Sequence, residues 1–132
     1  MAGKSPFVLS GREYTILKLL WEHGPLTVRE VRDRLRGRDE VPYTTVLSLL
    51  QLLEKKGYVR HEAEGKTYRY AAKVKQQTTT RKVIRDLVGR FFDGSVEALL
   101  LGLVGSRELT PELLERLRAE VETRTPKDVS HD

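Results

Sequence analysis

The sequence predicts a mainly α fold in two helical parts, the first of them closed by a single β-hairpin. Three observations carry this. Apolar residues recur at helical spacing behind paired helix-start signals, two β-leaning runs flank one glycine turn, and everything from residue 75 on is patterned as helix. A chain of 132 residues holds one ordinary domain or two very small ones, because units below roughly 40 to 60 residues bury too little surface to stand alone. A small second part must therefore gain stability from outside, most simply from another copy of the chain.

Ser10 followed three residues later by Glu13 forms a capping-box pattern, and Tyr14, Ile16, Leu17, Leu20 and Trp21 follow at helical spacing. A first helix over residues 11–23, ending at Gly24-Pro25, is predicted. Thr27 and Glu30 repeat the box ahead of Val28, Val31 and Leu35, which predicts a shorter second helix stopping near Gly37. Between the two, Pro25-Leu26 leaves room only for a tight turn or one extended pair. The third helix follows Pro42 and runs to Lys56, with Gly57 placed to supply a left-handed cap. The runs "YVRHEA" and "KTYRYA", separated by Glu64-Gly65, read as a hairpin with Tyr68 and Tyr70 on one face and Thr67 and Arg69 on the other. Helix, helix, helix, hairpin is the order of a winged helix-turn-helix.

In the second part Val83, Ile84, Leu87, Val88, Phe91 and Phe92 mark a stripe on a long helix that Asp93, Gly94 and Ser95 interrupt. "VEALLLGLVG" predicts a short, almost wholly apolar helix. Thr110-Pro111 opens a last one that carries Leu113, Leu114, Leu117 and Val121. So many large apolar residues exceed what this small unit hides by itself, and a homodimer is expected. Leu87, Phe91, Leu99, Leu100, Leu103, Leu113 and Leu117 are the residues expected at its interface. The domain organisation read from these patterns is a winged-helix DNA-binding domain at 1–74, a three-helix dimerisation domain at 75–123 and a flexible tail at 124–132.

The charge is unevenly placed. Residues 1–74 hold 14 Lys/Arg against 9 Asp/Glu, while residues 75–132 hold 10 against 10, so the whole net charge of +5 sits in the first part. A basic module joined to a neutral one points to a polyanion as the partner of the first. No run of 18 apolar residues and no signal-peptide core is present, so a cytoplasmic protein without membrane insertion is expected. The absence of cysteine leaves no disulfide framework or thiolate metal site. His23, His61 and His131 lack ligand-like spacing, and no phosphate loop, nucleophile elbow or paired carboxylates occur. No enzyme activity, metal or cofactor is expected.

Placing residues 43–56 at about 100° per residue puts Val46, Leu49, Leu50 and Leu53 on one side and Thr44, Ser48, Gln51 and Lys55 on the other. Small hydroxyl and amide side chains at the front of a helix approach base edges closely, and a threonine methyl can touch a thymine methyl. Tyr43, Thr44, Thr45, Ser48 and Gln51 are therefore the candidate base-reading residues for the major groove of double-stranded DNA. The bland alternative makes Thr44 a helix cap and the stripe a solvated surface. Leu47 and Leu52 flank the stripe, for contact with thymine methyls or for packing under the hairpin. Candidate phosphate contacts are Arg12, Arg29, Arg32, Lys55, Lys56, Lys66 and Arg69.

"LSGREYTILKLLWEHGPLTVREVRDRL", "YTTVLSLLQLLEKKGYV", "GKTYRY" and the helical segment after them resemble the BlaI/MecI/CopY family of bacterial penicillinase and methicillin-resistance repressors over roughly residues 8–122. The resemblance implies a homodimeric winged-helix repressor on a dyad operator, often with TACA/TGTA half-sites, dimerised through its C-terminal helices. In the β-lactam-responsive members a membrane sensor protease, or a protease downstream of it, brings about cleavage at an Asn-Phe pair. That pair aligns here with Gly102-Leu103, a departure from the pattern. The copper-responsive branch carries a cysteine-rich motif that this cysteine-free chain lacks. Two alternatives stay open: a winged-helix protein-interaction module, and a repressor released by a small molecule instead of by proteolysis.

Overall fold

The computed structural model describes residues 9–35 and 41–125. Its elements are α1 (Gly11–His23), β1 (Leu26–Thr27), α2 (Val28–Leu35), α3 (Tyr43–Lys55), β2 (Val59–Glu64), β3 (Thr67–Ala72), α4 (Gln76–Phe91), α5 (Val96–Gly105) and α6 (Pro111–Arg124). The fold is the mainly α winged helix-turn-helix with three further helices that the pattern predicts. The second helix's expected stop at Gly37 and the tail beyond residue 125 lie outside the described residues.

Both capping boxes form. Ser10 Oγ accepts the Glu13 N–H at 3.1 Å while Glu13 Oε1 accepts the Ser10 N–H at 2.8 Å. Thr27 and Glu30 repeat the exchange at 3.2 and 2.9 Å. Each satisfies two of the backbone donors that a helix start leaves unpaired. The extended pair between α1 and α2 becomes β1, which joins the hairpin as a third antiparallel strand in the order β1-β3-β2, with Leu26 opposite Tyr70 and Thr27 opposite Arg69. In the hairpin Val59 pairs with Ala72 and Glu64 with Thr67, and Gly65 makes the turn at φ +64°.

The end of α3 sets where the hairpin departs. Gly57 N–H donates to the Glu54 carbonyl at 3.0 Å and Tyr58 N–H to the Leu53 carbonyl at 2.9 Å. This is a Schellman motif, and it needs the left-handed φ of +91° that Gly57 adopts. Tyr58 and Leu53 are both buried there. The core gathers Ile16, Leu17 and Leu20 of α1, Val31 and Leu35 of α2, and Val46, Leu50 and Leu53 of α3 against Val59 and Tyr70 of the sheet.

The chain divides into two compact units, Met1–Asp86 and Leu87–Asp132. The break expected after residue 74 comes before the start of α4, whose first turns belong with the first unit. Thr79 is buried, Thr80 Oγ1 lies 2.9 Å from the Tyr14 hydroxyl, and the Trp21 indole N–H donates to the Val74 carbonyl at 2.9 Å. Polar anchors of this kind leave no trace in hydrophobic periodicity. In the second unit Asp93 and Gly94 turn the chain at φ +52° and +80°. Ser95 caps α5 through the Ala98 N–H, and Thr110 caps α6 through the Leu113 N–H. Helix α6 runs to Arg124, one residue past the expected end of the helical domain at 123. No residue of α5 or α6 is buried.

Candidate nucleic-acid interface

Helix α3 is seated by Val46, Leu50 and Leu53, none of which has any exposed surface. With that side fixed, helical geometry turns Thr44, Ser48, Gln51 and Lys55 outward, and all four are exposed. The residue that caps α3 is Pro42, which offers no side-chain acceptor. Thr44 therefore does not serve as the cap. Among the described residues no hydrogen bond engages the side chains of Thr44, Thr45, Ser48 or Gln51.

Beside this face the β2–β3 hairpin, the wing, rises to form a groove of about 620 Å³ lined by Thr27, Val28, Arg29, Tyr43, Leu47, Gln51, Lys66, Thr67 and Tyr68. Tyr68 is a groove residue that sequence reasoning did not single out. Strand alternation, which places it with Tyr70, sets the direction of its ring but not the helix opposite. His61 bridges the two walls: its Nδ1 lies 2.7 Å from the Glu54 carboxylate on α3, and its ring centroid lies 4.4 Å from that of Tyr68.

The expected phosphate contacts separate into two sets. Arg29, Lys55 and Lys66 are exposed and make no ion pair among the described residues. Arg12 is exposed at the start of α1, and Arg32 pairs at 3.3 Å with its neighbour Asp33. Lys56 and Arg69 are instead engaged by partners within the fold, with 19 % and 35 % of their side chains exposed. The Lys56 ammonium donates to both oxygens of the buried Glu13 carboxylate at 3.0 Å. Arg69 donates from Nη1 to the Pro25 carbonyl at 3.1 Å and to Glu30 at 3.2 Å, and from Nε to Glu64. It thereby ties the wing to the start of α2. The hydrogen bond from the Thr27 N–H, helped by the charge of Arg69 and opposed by burial, holds the Glu30 carboxyl below its ordinary value of 4.5.

The expected interface residues of the second unit fall into two groups. Leu87, Phe91, Leu100 and Leu117 are exposed, Phe91 at 65 %. Leu99, Leu103 and Leu113 are half-buried within the unit. Gly102 is exposed on α5. Among the described residues no helix is long and apolar enough to cross a membrane.

Comparison with known proteins places the chain. The transcriptional regulator BlaI of Mycobacterium tuberculosis is 32% identical over 119 residues, covering 86% of this chain and 85% of that one. The penicillinase repressor of Bacillus licheniformis is 23% identical over 109 residues, covering 83% and 85%. The solution structure of the DNA-binding domain of the repressor BlaI covers 56% of this chain and 90% of its own at 26% identity, with a TM-score of 0.49. The model of the penicillinase repressor family matches residues 9–123, nearly all of the described chain, and the chain therefore belongs to that family.

Proposed function

We propose that α3 enters the major groove of an operator and that Thr44, Thr45, Ser48 and Gln51, with Tyr43 at the edge, read its bases. The chain is a DNA-binding transcriptional repressor of the penicillinase-repressor type. The observation that carries the reading is the exposed polar face of α3, whose side chains have no partner among the described residues. Arg29, Lys55 and Lys66 border that face and, together with Arg12 and Arg32, supply the phosphate contacts that give affinity. Lys56 and Arg69 act indirectly, by fixing the end of α3 and the wing.

A homodimer formed through the exposed apolar side chains of Leu87, Phe91, Leu100 and Leu117 completes the repressor, acting in the cytoplasm where the operator lies. Two copies present two reading helices, so the operator has dyad symmetry. Loss of the dimer removes the second foothold and with it most of the affinity. If release is proteolytic at Gly102-Leu103, α5 must first open locally, because that bond lies inside a hydrogen-bonded helix.

The test titrates the full chain against a TACA/TGTA dyad and a scrambled duplex at two salt concentrations. Two chains per duplex, a preference for the dyad and a steep salt dependence are expected. Thr44→Ala with Ser48→Ala should cut the preference by roughly tenfold, about 1.4 kcal/mol, while binding to the scrambled duplex is unchanged. Equal losses on both duplexes would remove the base-reading role.

A further inference from the structure

We infer that the groove between α3 and the wing is a thymine-methyl pocket, with Leu47 as the residue that distinguishes thymine from every other base at one position of each half-site. The inference rests on the base-reading role of α3 and specifies what one part of that surface recognises.

Leu47 lies three residues after Thr44 and four before Gln51, so it shares a helix face with two of the base readers. Its side chain is half-buried and packs partly on the core, which holds it in place. What remains uncovered faces the groove, where Val28 and the rings of Tyr43 and Tyr68 provide the other apolar walls. Tyr43 and Tyr68 are 44 % and 51 % exposed. Surface of this kind beside polar base readers needs an apolar partner, and the one apolar group that the major-groove edge of a base pair presents is the C5 methyl of thymine. Charge selects the same occupant. Arg29 and Lys66 line the groove without an ion pair among the described residues, which suits a pocket lying against the phosphate backbone. The methyl projects from the outer edge of its base toward its own strand. An aliphatic floor with cationic rims is complementary to that combination of methyl and neighbouring phosphates.

The experiment first enriches duplexes from a random pool with the full chain, then remakes the enriched duplex with each thymine replaced in turn by uracil, which differs only by the methyl. Burial of one methyl corresponds to about a fourfold change per half-site, or roughly fifteenfold when both half-sites are replaced. A loss of that size is expected at one symmetry-related position. In Leu47→Ala the thymine preference there should fall to nearly one while the salt dependence stays the same, and Leu47→Met should retain it. Tyr68→Ala removes an exposed wall without entering the core and should reduce the preference by about twofold, a readout that survives if Leu47→Ala does not fold. An enriched duplex that tolerates uracil at every position overturns the pocket and leaves the base-reading role standing. So does a uracil effect that persists in both Leu47→Ala and Tyr68→Ala. Failure to enrich any sequence overturns the pocket together with the reading beneath it.

Discussion

Replacing Lys56 by methionine separates a structural cation from a DNA-binding one. The Glu13 side chain is 2 % exposed and that of Lys56 19 %. In Lys56→Met the carboxylate keeps the Ser10 N–H at 2.8 Å and is deprived of the two hydrogen bonds at 3.0 Å that balance its charge. Breaking a buried pair from one side costs about 3–5 kcal/mol. The lower end applies here, since one donor remains and the ammonium sits at the margin of the core. In a unit of this size each kcal/mol shifts the midpoint by several degrees, so the midpoint of thermal unfolding, followed by circular dichroism, should fall by roughly 10–20 °C. Adding Glu13→Gln should recover much of that decrease, because no uncompensated charge is then left inside. DNA titration well below the midpoint supplies the second readout. Lys56→Met should leave the slope of log affinity against log salt unchanged, while Lys55→Met should lower it by about 0.9 for each phosphate that is no longer neutralised. A Lys56→Met protein with an unchanged midpoint and a flattened salt slope would refute the structural assignment and return Lys56 to the phosphate set.

Three other outcomes are expected. Gly57→Ala forces a side chain into φ +91°, and since a Cβ there meets nothing within 4 Å the cost of about 1–2 kcal/mol is purely backbone, measurable by denaturant unfolding. Burial, reinforced by the charge of Glu13 near Tyr58 and of Glu54 near Tyr70, raises both phenols above their ordinary 10.0. Their contribution to stability is therefore complete below pH 10.0 and is lost as pH rises through the folded-state values; Tyr58→Phe should weaken this alkaline loss in unfolding curves taken across that range. Leu117→Asp places a charge on an exposed apolar position and should give a monomer in sedimentation with operator binding weakened in parallel, and a variant that remains dimeric would exclude that surface.

Much of the first unit was legible because its signals are local. A capping box is read from two residues three apart, and the end of α3 from one glycine. The inward and outward faces of α3 follow from 3.6-residue periodicity once leucine and valine mark the buried side. This is why Thr44, Ser48 and Gln51 could be placed outward from the sequence, and why the structure then had only to show that Pro42, not Thr44, occupies the cap. Cations gave no such signal. Lys55 and Lys56 are adjacent and chemically identical, yet one is exposed and the other reaches Glu13, 43 residues away. Arg69 likewise finds Glu30 at a separation of 39 residues.

The sequence by itself determined the order of elements, their caps and turns, the polar face of α3 and the concentration of positive charge in residues 1–74, because each depends on short-range spacing or on composition. Only the tertiary structure decided which cations stay available, that β1 joins the wing as a third strand, that the first turns of α4 belong with the first unit, and that Leu47, Tyr43 and Tyr68 share one groove. These features depend on pairs brought together across tens of residues. Their formation depends on how the core seats each helix, and periodicity along the chain carries no record of the partner.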